Sequence, residues 1–158
     1  MTEKEKIKLR IRRWIVLFIV LLVLSGITAF PIKWELDLAY DFMQKFPKDN
    51  LLSVWYFKIH EGISETYPKY PFIAYGTDWL AFAHIVIAVA FIGPLRNPVK
   101  NIWVIEWGMI ACALVIPLAM IAGEVRGIPF FWRLIDCSFG VFGMVPLWLC
   151  WREIKKLN

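Results

Sequence analysis

The chain has 158 residues, of which 59% are hydrophobic, and its mean hydropathy of +0.59 is higher than a soluble domain would show. Four apolar stretches of about 20 residues take up roughly half of the length, which leaves no room for a separate soluble domain. The net charge of +5 does not indicate nucleic acid, because the basic residues flank the apolar stretches. We therefore predict one all-α integral membrane domain over residues 1–158, a four-transmembrane-helix bundle.

The first apolar stretch covers residues 14–32 and follows a strongly basic segment, as in a signal peptide. Cleavage after Ala29 would place Ile27 at a position that requires a small residue. The apolar run is also long for the hydrophobic region of a signal peptide. We therefore expect an uncleaved first transmembrane helix.

Three further stretches have the length of a transmembrane helix. They cover residues 77–95, 102–123 and 129–151. Thr77 is expected to cap the second span, with Asp78 in the first turn, where a carboxylate suits the positive end of a helix. Pro117 predicts a kink in the third span, and Pro129 fits the start of the fourth.

The basic residues fall on one side of this four-span topology. They lie in the N-terminal segment, in the connection between the second and third spans, and in the C-terminal tail (Lys4, Lys6, Lys8, Arg10, Arg12, Arg13, Arg96, Lys100, Arg152, Lys155 and Lys156). Because basic connections stay on the cytoplasmic side, we expect a multi-pass protein of the cytoplasmic membrane with both termini in the cytoplasm. Residues 33–76 then lie outside.

This outer segment, residues 33–76, is rich in aromatic side chains. Two stripes of apolar residues recur in it at helical spacing: Leu38, Phe42 and Phe46, and then Leu52, Trp55, Ile59 and Ile63. Asp49 and Asn50 suit an N-cap between them, and Pro68 and Pro71 are expected to end the second helix. Neither helix is long enough to span, so we predict two amphipathic helices that cap the bundle at the outer interface.

Ionisable residues inside the spans are the main indication of function, because a charge in lipid costs several kcal/mol unless it is paired. His84 lies six residues after Asp78, about 9 Å deeper along the second span. Asp136 lies seven residues after Pro129, at a similar depth in the fourth span. We predict that His84 and Asp136 meet as a catalytic pair, in which the carboxylate orients the imidazole. A structural histidine is the alternative.

Further polar residues are expected near the same ends of the spans. Arg133 and Asp136 are three residues apart and can pair on one helix face. Gly140, inward of them, either leaves a cavity or lets another helix approach closely. The predicted ligand-binding residues are Asp78, Glu124, Arg126, Arg133 and Gly140. A salt-bridge network that stabilises the bundle is the alternative.

Several kinds of site can be excluded by motif. The sequence has no GxxxxGK[ST] phosphate loop, no HExxH or CxxC, and no GxSxG elbow. The spacing of its cysteines matches no metal signature, so no metal site is predicted and no cofactor is specified. The acidic residues of the aromatic segment also argue against a nucleic-acid partner.

Three functions remain as hypotheses. In the first, the polar residues bind the head of a small amphiphile, such as a lipid, an isoprenoid or a quinone-like molecule, and His84 and Asp136 act on it by acid–base chemistry. In the second, the chain is an accessory subunit or scaffold, with a homo-oligomeric or membrane-protein partner. Proton or solute transport ranks third, because polar groups are sparse in the middle of the spans.

Overall fold

The computed structural model describes residues 2–157, and this part of the chain is built from helices. A short 3₁₀ turn, Pro71–Ile73, precedes the fourth helix. The α-helices in chain order are α1 (Glu3–Ala29), α2 (Ile32–Met43), α3 (Leu51–Lys69), α4 (Tyr75–Ala90), α5 (Ile92–Arg96), α6 (Ile102–Val125) and α7 (Phe130–Lys155).

Four helical stretches are long and apolar enough to cross a membrane: Glu3–Ala29, Pro71–Arg96, Ile102–Val125 and Phe130–Lys155. They correspond to the four predicted spans, and they indicate a multi-pass membrane protein. The predicted boundaries were least accurate for the first and second spans. The second comprises two helices, α4 and α5, rather than one.

The first helix begins about ten residues earlier than predicted, at Glu3. The charged segment continues the helix because its isoleucines lie on one face with apolar residues of the span. Ile7, Ile11, Ile15 and Phe18 are spaced by four, four and three residues, and all four are buried. The spacing of these apolar residues is present in the sequence, but charged residues separate them, so the predicted span began only at residue 14.

The chain divides into two compact units. The first comprises the residues up to Leu22 together with those from Val86 onward, and the second is Val23–Ile85. The core of the first unit combines the N-terminal half of α1 with side chains of the α4–α5 junction, α6 and α7. Its buried members are Ile7, Ile11, Ile15, Phe18, Phe91, Val104, Ile105, Leu147, Cys150 and Ile154.

Helices α6 and α7 pack closely along a line of small residues, which we call the α6–α7 seam (Gly108, Cys112, Gly140 and Gly143). A Cβ on Gly108 would lie 2.7 Å from the Phe91 ring, and one on Gly143 would lie 2.9 Å from Cys112 Sγ. Gly140 lies directly against the backbone carbonyl of Cys112. Of the two interpretations of Gly140, the structure shows the close approach of a helix.

Polar contacts join the first and last helices of the same unit. Arg10 on α1 donates to Glu153 on α7 through Nη2 at 2.9 Å and Nε at 3.2 Å. Lys156 donates to the other oxygen of Glu153 at 2.7 Å. The N-terminal and C-terminal helices are thus held at one end of the unit, as the four-span topology requires.

In the second unit, α2 and α3 form a helical hairpin. Asn50 caps α3 as predicted, since its side-chain oxygen accepts from the Leu52 amide at 3.1 Å. The Tyr56 hydroxyl donates to the Leu36 carbonyl, and His60 Nε2 lies 3.0 Å from Asp37 Oδ1. Side-chain bonds therefore hold the two helices together, in addition to apolar contact.

The hairpin leaves the first predicted apolar stripe exposed. Leu38 and Phe42 on α2 are 67% and 58% exposed. An exposed apolar stripe on a short helix is what an interfacial position requires. The helix α3 ends at Lys69, between the two prolines that were predicted to end it: Pro68 lies in its last turn, and Pro71 follows the C-cap Tyr70.

The start of α4 also differs from the prediction. Thr77 does not cap the helix, which begins two residues earlier at Tyr75. Its hydroxyl instead donates to the Ala74 carbonyl at 2.7 Å. Asp78 does lie in the first turn, as predicted.

Replacement of Gly140 by alanine is expected to lower the free energy of unfolding by about 1–3 kcal/mol, because the new methyl group would force the Cys112 carbonyl and α6 away. Gly62→Ala is the matched control. Gly62 lies inside α3 with no neighbour within 4 Å, so alanine should stabilise that helix slightly. Detergent-unfolding midpoints measure both, and equal midpoints would contradict the packing assigned to Gly140.

The α2–α3 hairpin is expected to respond to pH through Asp37. The Lys33 ammonium, which donates to it at 2.7 Å, lowers the pKa of Asp37 below the ordinary value of 3.8, and His60 contributes in the same direction. A lowered pKa in the folded state means that the stabilisation is present above pH 3.8 and is lost as pH falls through the lowered value.

Asp37→Asn should therefore speed hydrogen exchange in α2 at neutral pH, and this difference from the unsubstituted protein should vanish in acid. Asp41→Asn, on the same exposed helix, is the control and should change exchange little. A difference that persisted unchanged at low pH would show that the Asp37 charge is not its cause.

Candidate functional site

His84 lies on α4, half-buried, in the second unit. Its Nδ1 is 2.8 Å from the Leu80 carbonyl oxygen one turn earlier. A carbonyl oxygen only accepts, so Nδ1 carries the hydrogen and Nε2 of the neutral ring is left as an acceptor. His84 is thus held by its own helix in one tautomer, with Nε2 available to a ligand.

The backbone of the same turn packs tightly against α1. A Cβ on Gly26 would lie 2.9 Å from the Ala81 carbonyl and 3.1 Å from the Cβ of His84. Ala81 is fully buried in this contact. The small residues beside His84 therefore serve close packing of two helices at this level.

Arg133 does not pair with Asp136, which corrects the pairing expected from their spacing. Its guanidinium forms an ion pair with Glu124 at the end of α6, and its Nε donates to the Ile128 carbonyl at 2.9 Å. Its aliphatic stem covers Gly123, where a Cβ would lie 2.6 Å from Arg133 Cδ. Arg133 thus ties α7 to the end of α6.

The turn that Arg133 closes is a Schellman motif. The Ile128 amide donates to the Gly123 carbonyl at 2.9 Å, and the Gly127 amide donates to the Glu124 carbonyl at 3.0 Å. Gly127 has φ +67°, a left-handed conformation that glycine adopts without strain. The ion pair of Arg133 with Glu124 is of the kind that the alternative prediction, a salt-bridge network, describes, and the ligand-binding role predicted for the two residues stays a prediction.

Three of the predicted site residues have polar side-chain groups that are unpaired within the described chain. Asp78 and Asp136 are half-buried, and Arg126 is exposed at the C-cap of α6. Within residues 2–157, none of the three has an ion pair or a side-chain hydrogen bond. Asp78 and Asp136 each lie inside a candidate span, Pro71–Arg96 and Phe130–Lys155, where a carboxyl group is costly to leave without a partner.

His84 belongs to the second unit, and Asp136 belongs to the first. Their predicted contact therefore stays a prediction, as does the ligand-binding role of Gly140. Among the described residues, no three His, Cys, Asp or Glu side chains are grouped so that they could hold a metal ion.

Glu106 on α6 has a hydrogen-bond partner on α7. Trp151 donates its indole hydrogen to Glu106 Oε1 at 2.9 Å. Arg152, the next residue along α7, lies over the Trp148 ring at 4.8 Å.

Sequence reasoning missed a concave basic surface formed by α1 and the α5–α6 connection. Lys8, Arg12 and Arg96 line it. The four-residue spacing of Lys8 and Arg12 would have placed them on one face if the helical segment had been extended to Glu3. Their proximity to Arg96 depends on tertiary structure, and no sequence pattern shows it.

The comparisons with known proteins assign no family. The chain matches no protein-family model, and searches of curated proteins and of solved structures find no significant match. The function must therefore be argued from the geometry of the described residues.

Arg133→Met should lower the free energy of unfolding by about 1–3 kcal/mol, because it removes a charged donor from the Ile128 carbonyl. Glu124→Gln should cost less than about 1 kcal/mol, because the Glu124 side chain is 72% exposed. Thermal unfolding of both variants in mild detergent provides the test. Equal losses would mean that the ion pair, and not the bond to the turn, stabilises the hairpin.

Proposed function

We propose that this protein is a multi-pass protein of the cytoplasmic membrane that binds a small amphiphile, with the polar head recognised near the extracytoplasmic ends of its spans. The observation that carries the proposal is Asp136. Its carboxyl group lies half-buried within a candidate span and has no partner among residues 2–157. An acidic residue costs about 3 kcal/mol at the centre of a span and less towards its ends, and Asp136 lies in the second turn of α7. A bound head group would offset this cost.

The charges around it distinguish Asp136 from Arg133 and Glu124. Arg133 and Glu124 neutralise each other, and Arg133 also has the Ile128 carbonyl as an acceptor. They are therefore assigned to the turn and not to the ligand. Asp136 remains as the hydrogen-bonding group of α7, and Arg126 and Asp78 remain as polar groups at the ends of α6 and α4.

The ligand class follows from the surroundings of this carboxyl group. Next to it on α7, Leu134, Ile135 and Phe139 are exposed and apolar, as lipid-facing side chains are. A molecule bound there needs a hydrogen-bonding head and an apolar body. Lipids, isoprenoids and quinone-like molecules have this form, and soluble metabolites do not.

His84 is the second residue of the proposal. Its Nε2 is an acceptor in the tautomer set by Leu80, so it is suited to take a proton from a ligand hydroxyl. If the protein is an enzyme, we propose His84 as the general base, with Nδ1 held by the Leu80 carbonyl, and the role of Asp136 as its partner stays a prediction. We keep this chemistry as part of the proposal, together with the cytoplasmic location of both termini.

The alternative is a non-catalytic accessory subunit. In favour of this alternative, several small residues lie on α6 and α7, and small residues on a membrane helix suit contact with another protein. In the structure Gly108, Gly123, Gly140 and Gly143 are occupied by contacts inside the chain. This argument for a partner protein is therefore weaker than the argument for a ligand.

Native mass spectrometry of the gently purified protein, with lipid extraction of the same sample, tests the proposal. We expect a retained small amphiphile that is lost at least tenfold in Asp136→Asn, a nearly isosteric change that removes the charge. His84→Ala should also reduce retention while the protein remains folded. Asp41→Asn, which removes a carboxylate outside the spans, is the control.

Two results would count against the ligand. Equal retention in Asp136→Asn and Asp41→Asn would remove Asp136 from recognition. A chain that carries no small molecule but a second polypeptide at fixed stoichiometry would support the accessory-subunit alternative. Loss of folding in His84→Ala would assign that residue to structure, through its bond to Leu80.

A further inference from the structure

The concave basic surface described above lies within the first unit, near the start of α1 and the end of α7. It has a volume of about 380 Å³ and is formed by α1, α5 and the α5–α6 connection, with Leu157 of the tail at its edge. Ile11 and Ile15 are each 1% exposed, and Pro94 is fully buried. These three residues form an apolar floor.

The cations at this surface are Lys8, Arg12 and Arg96, and no acidic residue lines it. Within residues 2–157, none of the three has an ion pair. At this end of the unit, Arg10 and Lys156 both pair with Glu153. Lys8, Arg12 and Arg96 differ from the other basic residues of this end in lining one concave surface together, and no acidic residue of that lining neutralises their charge.

The wall opposite α1 is held in shape by its own side chains. Asn97 accepts from the Lys100 amide at 3.1 Å through its side-chain oxygen. The Asn101 side chain donates to the Asn97 carbonyl at 2.9 Å and to the Gly93 carbonyl at 3.2 Å. These bonds order the connection before any ligand arrives, so little conformational entropy would be lost on binding.

We propose that this surface, which we call the basic pocket (Lys8, Ile11, Arg12, Ile15, Pro94 and Arg96), binds the phosphate of an anionic phospholipid. The cations match a phosphate group, and the guanidinium groups can bind it in a bidentate manner. The partly exposed side chains of Leu95, Val99 and Leu157 at its edge can contact the glycerol and the first part of the acyl chains. The pocket lies at the end of candidate spans, where phospholipid head groups are found.

The occupant shares its phosphate chemistry with soluble anions, but the apolar side chains at the edge of the surface distinguish the two. Inorganic phosphate gains nothing from Leu95, Val99 and Leu157, which are partly exposed to solvent, whereas a phospholipid covers them. This inference depends on the membrane location of the chain and not on Asp136, so either site can fail without the other.

The experiment titrates the full chain in detergent with phosphatidylglycerol, phosphatidylcholine or inorganic phosphate, and counts bound ligand by native mass spectrometry. We expect phosphatidylglycerol to bind at least tenfold more tightly than phosphatidylcholine, and inorganic phosphate to compete only weakly. Arg12→Gln and Arg96→Gln should each weaken phosphatidylglycerol binding about fivefold, as expected for the loss of one cation near a lipid surface.

Arg13→Gln is the matched control, since it removes the same charge from the next residue of α1, which does not line the pocket. It should leave binding within twofold of the unsubstituted protein. If Arg12→Gln does not fold, Arg96→Gln on a separate helix replaces it. Equal losses for Arg12→Gln and Arg13→Gln would overturn the pocket in favour of diffuse attraction. Inorganic phosphate that competes as well as phosphatidylglycerol would overturn the lipid as its occupant.

Discussion

The close approach of α6 and α7 is the constraint on which the first unit depends. Gly140 brings the backbone of α7 against the Cys112 carbonyl of α6, and Gly108 admits Phe91 and Leu147 side by side. Lipid tails are as apolar as leucine, so helices in a membrane associate through short-range packing and polar bonds rather than through exclusion of water. The Schellman turn with Arg133 closes this hairpin at one end, and the bond from Trp151 to Glu106 joins it near the other.

This hairpin also determines which charges remain free for function. The sequence predicts Arg133 and Glu124 as ligand-binding residues, and in the structure the two form an ion pair at the turn. Asp136, only three residues further along α7, is left without a partner in the described chain. Function in such a bundle is best sought among the polar groups that packing leaves unsatisfied, because in a low-dielectric surrounding each of them is costly.

The two proposed sites lie towards opposite ends of α7 and use opposite charges. Asp136 is near the start of the helix, and the basic pocket includes Leu157 just beyond its end, about 30 Å away along the helix axis. We therefore propose a different ligand for each site. The unpaired acid within the span would bind a hydrogen-bonding head group in the apolar layer. The unpaired cations at the end of the span would bind a phosphate at the surface of that layer.

The sequence by itself determined the helical class, the four spans, the N-cap at Asn50 and the start of α7 after Pro129, because these follow from local hydropathy and backbone preferences. The sequence predicted two helix starts incorrectly, because two local signals were present at each. Thr77 was predicted to cap α4, and the charged residues around Ile7 and Ile11 concealed the start of α1. Only tertiary structure decided that Arg133 pairs with Glu124, that Gly140 meets Cys112, and that Arg96 joins Lys8 and Arg12. Each of these contacts joins residues whose approach is set by how helices pack, and sequence spacing does not carry that information.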